Sequence, residues 1–88
     1  TLGTVMRSLH WHRSLTLNYQ DSFRTSYQDN FYQVEKTATH WVLYHLVPAP
    51  EGGKRTVELC KYNKKWRFVY VKKLVEQRIR EHCNRTNT

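Results

Sequence analysis

Thr37-Ala38-Thr39-His40-Trp41-Val42-Leu43-Tyr44-His45-Leu46-Val47 decides the fold, because it is rich in β-branched and aromatic residues and apolar at both parities. Such a run fits a central strand covered on both faces. The segment after it, Pro48-Ala49-Pro50-Glu51-Gly52-Gly53, must be a loop. Proline denies the ladder a donor, and the glycines allow a tight reversal.

Working outward, Arg55 to Lys61 resumes as a strand, with Val57 and Leu59 on one parity and Glu58 and Cys60 on the other. Asn63-Lys64 suits a hairpin turn. Trp66, Phe68 and Tyr70 then alternate with Arg67, Val69 and Val71, which predicts a further strand. From Leu74 the spacing changes to that of a helix: Leu74, Val75, Ile79, His82 and Cys83 form an apolar stripe, while Lys73, Gln77 and Arg80 face outward. Glu76 to Arg80 and Glu81 to Arg85 are supporting pairs four residues apart.

On the N-terminal side, Leu9 to Gln20 alternates, with Trp11, Leu15, Leu17 and Tyr19 on one parity, as in a half-buried strand. Leu2, Val5, Met6 and Leu9 have helical spacing over a short stretch. A near-repeat with a period of eight follows, Tyr19-Gln20-Asp21-Ser22-Phe23 and Tyr27-Gln28-Asp29-Asn30-Phe31. Its copies share one face of a strand, or else Asp-Ser and Asp-Asn mark two turns. Phe23, Tyr27, Phe31 and Val34 also fit a helix, but Ser, Thr, Asn and Tyr are poor helix formers, so strands are preferred. The expected architecture is α+β: an antiparallel meander sheet of four to five strands closed by a C-terminal α-helix, as one basic domain over residues 1–88. A helix on one face leaves the other to water, a ligand or a second copy. In topology, without a shared motif, this order resembles the strand-strand-strand-strand-helix unit of Whirly-type and PUR-type single-strand binders.

An 88-residue chain is short for two cores, and its three Trp and six Tyr supply the large apolar bodies that close one. The densest apolar stretch, Trp41 to Val47, is interrupted by His45 and is far below bilayer-spanning length, so no membrane partner is expected. No signal-peptide pattern is visible in Thr1 to Met6, and the chain reads as intracellular. Cys60 and Cys83 permit one disulfide, although two buried thiols are the simpler expectation without CxxC spacing. Asn84-Arg85-Thr86 matches a glycosylation sequon, a pattern short enough to arise by chance.

Charge is unevenly placed. Residues 1–51 carry four basic and four acidic side chains, whereas eleven basic residues and only Glu58, Glu76 and Glu81 follow, so the whole net charge of +8 belongs to the C-terminal part. A field of that kind draws in phosphate backbones with salt-dependent affinity, or docks on an acidic protein, or simply solvates the surface.

The densest signal runs from Lys61 to Lys73. Trp66, Phe68 and Tyr70 on one strand face would offer flat stacking surfaces to unpaired bases, and flanking cations would hold the phosphates. The competing reading places the three rings in the core beneath the helix. The expected nucleic-acid contacts are Lys54, Arg55, Lys61, Lys64, Lys65, Trp66, Arg67, Phe68, Tyr70, Lys72 and Lys73. The cations are the stronger candidates.

His10-Trp11-His12 puts two histidines on one side of a strand, and Tyr62-Asn63-Lys64-Lys65 supplies a YxxK; together they resemble pieces of the HUH nuclease family. That resemblance implies a divalent metal on the histidines and Tyr62 as the nucleophile that cleaves single-stranded DNA. Tyr62 falls beside a turn instead of on a helix, and no third ligand is evident. No serine or threonine is marked as a nucleophile, and the carboxylates are too scattered for an acid/base pair. His40 and His45 fall on opposite parities, and Gly52-Gly53 lacks the pattern of a phosphate loop. The leading expectation is therefore a non-catalytic module for single-stranded RNA or DNA, with no cofactor and no resident metal. An adaptor that docks its basic patch on an acidic protein, or pairs as a homodimer through a sheet face or edge, comes second. The metal-dependent nuclease comes third.

Overall fold

The computed structural model describes residues 9–15 and 21–86. They form five strands, β1 (His12–Leu15), β2 (Asp21–Tyr27), β3 (Asn30–Lys36), β4 (His40–Pro48) and β5 (Lys54–Asn63), followed by one helix, α1 (Phe68–Thr86). The strands pair in chain order, every neighbour antiparallel, so the sheet is the expected meander with α1 closing it. The helical spacing of Leu2 to Met6, and Leu17 and Tyr19 of the first alternating stretch, lie outside the described residues.

Three connections explain the order. The second copy of the near-repeat is a hairpin: Gln28 and Asp29 adopt φ of 49° and 65°, the two left-handed residues that a tight β2–β3 turn needs. Thr37 organises the next turn, where its Oγ1 accepts the His40 N–H at 3.0 Å and its own N–H donates to the His40 carbonyl at 2.7 Å. This turn takes the first residues of the expected central strand, so β4 starts at His40. Between β4 and β5, Gly52 and Gly53 sit at φ of 99° and 75°, which a side chain would strain.

One face of the sheet meets α1. Tyr32, Val34, Trp41 and Leu43 from β3 and β4 pack with Val71, Val75, Ile79 and Cys83 from α1 in one buried cluster. The helical residues are four apart and therefore share a stripe. Leu74, expected on that stripe, stands beside it, half-buried.

The chain from Trp66 to Val71 departs from expectation. It is not a strand; α1 begins at Phe68, six residues before Leu74. Alternation across Trp66, Phe68 and Tyr70 satisfies period two, but Phe68, Val71, Val75 and Ile79 satisfy helical spacing as well. Tertiary contact decides between them: the Phe68 ring stacks on Phe23 with centroids 3.7 Å apart and planes within 4°, and packs on Trp41 and Trp11 at 5.7 and 5.6 Å. A strand would leave that ring without its aromatic box. Nor is Asn63-Lys64 a hairpin turn. Asn63 Oδ1 accepts the Lys65 N–H at 2.9 Å and its carbonyl accepts the Trp66 N–H at 3.2 Å, turning the chain across the sheet instead of back along it.

β5 also corrects a parity. Leu43 pairs with Cys60 but Tyr44 pairs with Glu58, so Leu59 is an extra, bulged residue. Val57 and Cys60 consequently share the helix-side face with Tyr62, against the alternation expected for Arg55 to Lys61. Cys60 and Cys83 are both free thiols. Glu76 likewise turns inward instead of facing Arg80 across water: it is 6% exposed, and its Oε2 accepts the Leu9 N–H at 2.8 Å and the Trp11 Nε1–H at 3.0 Å.

Candidate nucleic-acid interface

At the junction of β5 with α1 a cleft of about 530 Å³ opens to solvent. Lys61, Tyr62 and Asn63 end β5 on one side; Lys64 and Trp66 of the turn, Leu74 of α1, and Thr39 and His40 of the β3–β4 turn complete it. Two hydrogen bonds hold its walls together. Lys64 Nζ donates to the Ala38 carbonyl at 2.8 Å, tying one turn to the other, and Trp41 Nε1–H donates to the Trp66 carbonyl at 2.9 Å. The backbone of Trp66 is fixed in this way while its ring stays outside.

The helical start at Phe68 sorts the three expected stacking rings. Phe68 is half-buried with its ring packed against the core, stacked on Phe23, so its reading as a ligand platform is corrected. Trp66 and Tyr70, four residues apart, are 39% and 60% exposed and contact each other edge to face at 5.3 Å. Trp66 lines the cleft, and Tyr70 extends it into an exposed aromatic ridge.

Most of the expected cations gather here. Lys64, Lys65 and Arg67 occupy the connection and Lys73 follows one helical turn beyond Tyr70, with Lys65, Arg67 and Lys73 exposed. Lys72 is not brought to the cleft: half-buried, it shares the flank of α1 that carries Glu76 toward β1, away from Leu74. Lys61 lies 4.0 Å from Glu58, an exposed, loose ion pair that leaves most of its charge available. No carboxylate among the described residues lines the cleft. The first turn of α1 has no acidic residue, so its positive dipole end adds to the same field. Lys54 and Arg55 are elsewhere, at the start of β5, roughly 30 Å along the strand from Asn63. The expected basic surface thus has two ends.

Tyr62 faces the helix side, where burial, and then the neighbouring Cys60 thiol, hold its phenol well above the usual tyrosine range. Such a phenol is a poor nucleophile. The His10 and His12 rings do lie together, with centroids 4.6 Å apart, but on the open face at the β1 edge. Tyr62 belongs to the opposite edge and the opposite face, four strand spacings or roughly 19 Å away. The constellation of the HUH resemblance is therefore not brought together, and no group of three His, Cys, Asp or Glu able to hold a metal occurs among the described residues. No described helix is long and apolar enough to cross a membrane.

Sequence reasoning missed Thr39 and His40, which reach the cleft only because the strand register sets His40 opposite Asn63. It also missed Phe31, 47% exposed on the open face with Lys54 Nζ 4.1 Å from its ring centroid. Their 23-residue separation gives no local signal; only the β3–β4–β5 pairing brings them together.

No known protein family, no curated protein and no solved structure matches the chain.

Proposed function

We propose that this domain binds single-stranded RNA or DNA, without catalysis, at the junction of β5 with α1. The observation that carries the proposal is the exposed Trp66–Tyr70 ridge standing beside Lys61, Lys64, Lys65, Arg67 and Lys73, over a cleft lined by no described carboxylate. Rings of this kind stack on any base, and cations at both sides hold the phosphates that connect successive bases. A duplex would offer phosphates but keep its bases from the ridge, so unpaired strands are the better fit.

The test is a titration of a fluorescent oligo(dT) or oligo(rU) against the full chain at several salt concentrations. Affinity falls steeply as salt rises, because each neutralised phosphate releases condensed ions. Combined Lys64→Glu, Lys65→Glu and Arg67→Glu substitution lowers affinity at least about tenfold, and Trp66→Ala with Tyr70→Ala lowers it by a similar factor at high salt. Affinity that ignores both sets of changes overturns the proposal.

One observation favours a second reading. β5 is an edge strand, and Lys54 to Glu58 along it are all exposed. An edge in that state can pair with a second copy or with an acidic protein segment. Light scattering that gives a dimer mass at micromolar concentration, lost on substituting Thr56 or Val57 by proline, would support it.

A further inference from the structure

The open face of the sheet carries a second cluster, at the end remote from the α1 junction. His10, His12, Arg24, Ser26 and Phe31 line a hollow of about 250 Å³, and Lys54 lies across the Phe31 ring from β5. Register brings them together: His12 pairs with Arg24, and Ser26 with Phe31. The start of β1 is fastened there by Thr25 Oγ1–H, which donates to the His10 carbonyl at 2.6 Å. Gln33 Oε1 accepts from Arg24 Nε at 3.1 Å, so the guanidinium is oriented along the sheet surface.

We infer that this hollow is a second subsite for the same single strand, holding one unpaired base against Phe31 and its phosphate between Arg24 and Lys54. The inference rests on the single-strand reading above and extends it. Small-molecule pockets enclose roughly 300–1,000 Å³, so this hollow suits one ring and not a whole free ligand. Its chemistry is one-signed: an arginine, a lysine and two imidazoles surround an exposed aromatic, and no described carboxylate lines it. Glu35 and Glu58 flank Tyr44 farther along the open face, where burial and then their charges raise the Tyr44 phenol. That acidic middle, Glu58 of β5 included, lies between Lys54 at one end of β5 and Lys61 near the other, so a strand that reaches both basic ends has to bridge it. A strand that satisfies both ends must be longer than one that fills the junction cleft alone.

The test compares oligo(dT) of about four and about twelve nucleotides, a short and a long choice within the usual span of a single-strand groove. Phe31 is half exposed, so Phe31→Ala keeps the fold, which circular dichroism verifies. The expected result is an affinity loss of about tenfold for the longer strand, little change for the shorter, and recovery in Phe31→Trp, which only stacking explains. Lys54→Gln should lower the salt slope by about one for the longer strand alone. Unchanged binding of both lengths by Phe31→Ala, while the Lys64, Lys65 and Arg67 substitutions still weaken it, overturns the subsite and leaves the junction reading standing. Equal losses at both lengths also overturn it, since the two ends would then be one. If neither set of substitutions changes binding, both readings fall.

Discussion

Glu76 shows what a single side chain can do in so small a domain. Its sequence neighbours suggest an exposed partner for Arg80, yet it is buried and caps two donors from the opposite edge, the Leu9 N–H and the Trp11 indole. Those bonds pin the approach to β1 against α1, and Trp11 in turn meets Phe68 edge to face. Hydrogen bonds to a charged acceptor contribute about 1.5–3 kcal/mol each, and removing the acceptor leaves the donors without partners. Glu76→Ala should therefore cost roughly 2–4 kcal/mol in urea denaturation. Glu76→Gln, which keeps an acceptor oxygen, should cost distinctly less. Equal midpoints for Glu76→Ala and the parent chain would contradict this role.

The start of α1 joins stability to binding. The Arg67 carbonyl accepts the N–H groups of Tyr70 and Val71 at 3.0 and 3.1 Å, which makes Arg67 the residue that caps the helix. Its guanidinium has no acceptor to offer the free amides of the first turn, and its charge sits where the helix dipole repels it. Serine or aspartate would be the favoured choice at this position by about 1 kcal/mol. Arg67→Ser is accordingly expected to raise the melting temperature by a few degrees while it weakens oligonucleotide binding. The opposite signs make thermal unfolding and a binding titration of one variant a sharp check. A variant that gains stability without losing affinity would remove Arg67 from the interface.

Across the whole molecule, a polar cluster joins the two layers toward the C-terminal end of α1. Tyr32 Oη lies 3.0 Å from His82 Nδ1 and 2.9 Å from Cys83 Sγ, and His45 approaches His82 with ring centroids 4.7 Å apart. Asn30 Oδ1 is 3.3 Å from His45 Nε2. Burial lowers both histidine pKa values, and His45 and Arg78 lower that of His82 further. The fold thus disfavours the protonated form of both rings. As pH falls through about 6.5 the unfolded chain takes up protons that the folded chain resists, so stability is retained above that value and declines below it. The melting temperature should drop between about pH 7 and pH 5, by more than in a His45→Gln, His82→Gln variant. Identical pH profiles for the two proteins would show that the cluster does not titrate with folding.

Local pattern determined the meander order and the lopsided charge, because proline, glycine and period-two alternation act on a few neighbouring residues at a time. It also carried most of the junction cations, since Lys61 to Lys73 are close in the chain whatever structure they adopt. What it could not determine was whether Trp66 to Val71 is strand or helix. Six residues satisfy both periods, and only the aromatic box of Phe23, Trp41 and Trp11 around Phe68 selects one. That choice then frees Trp66 and Tyr70, packs Phe68 against the core, and moves Lys54 and Arg55 to the far end. The bulge at Leu59, the inward Glu76 and the meeting of Phe31 with Lys54 were decided by tertiary structure alone, because each depends on pairing between strands or layers distant in the chain.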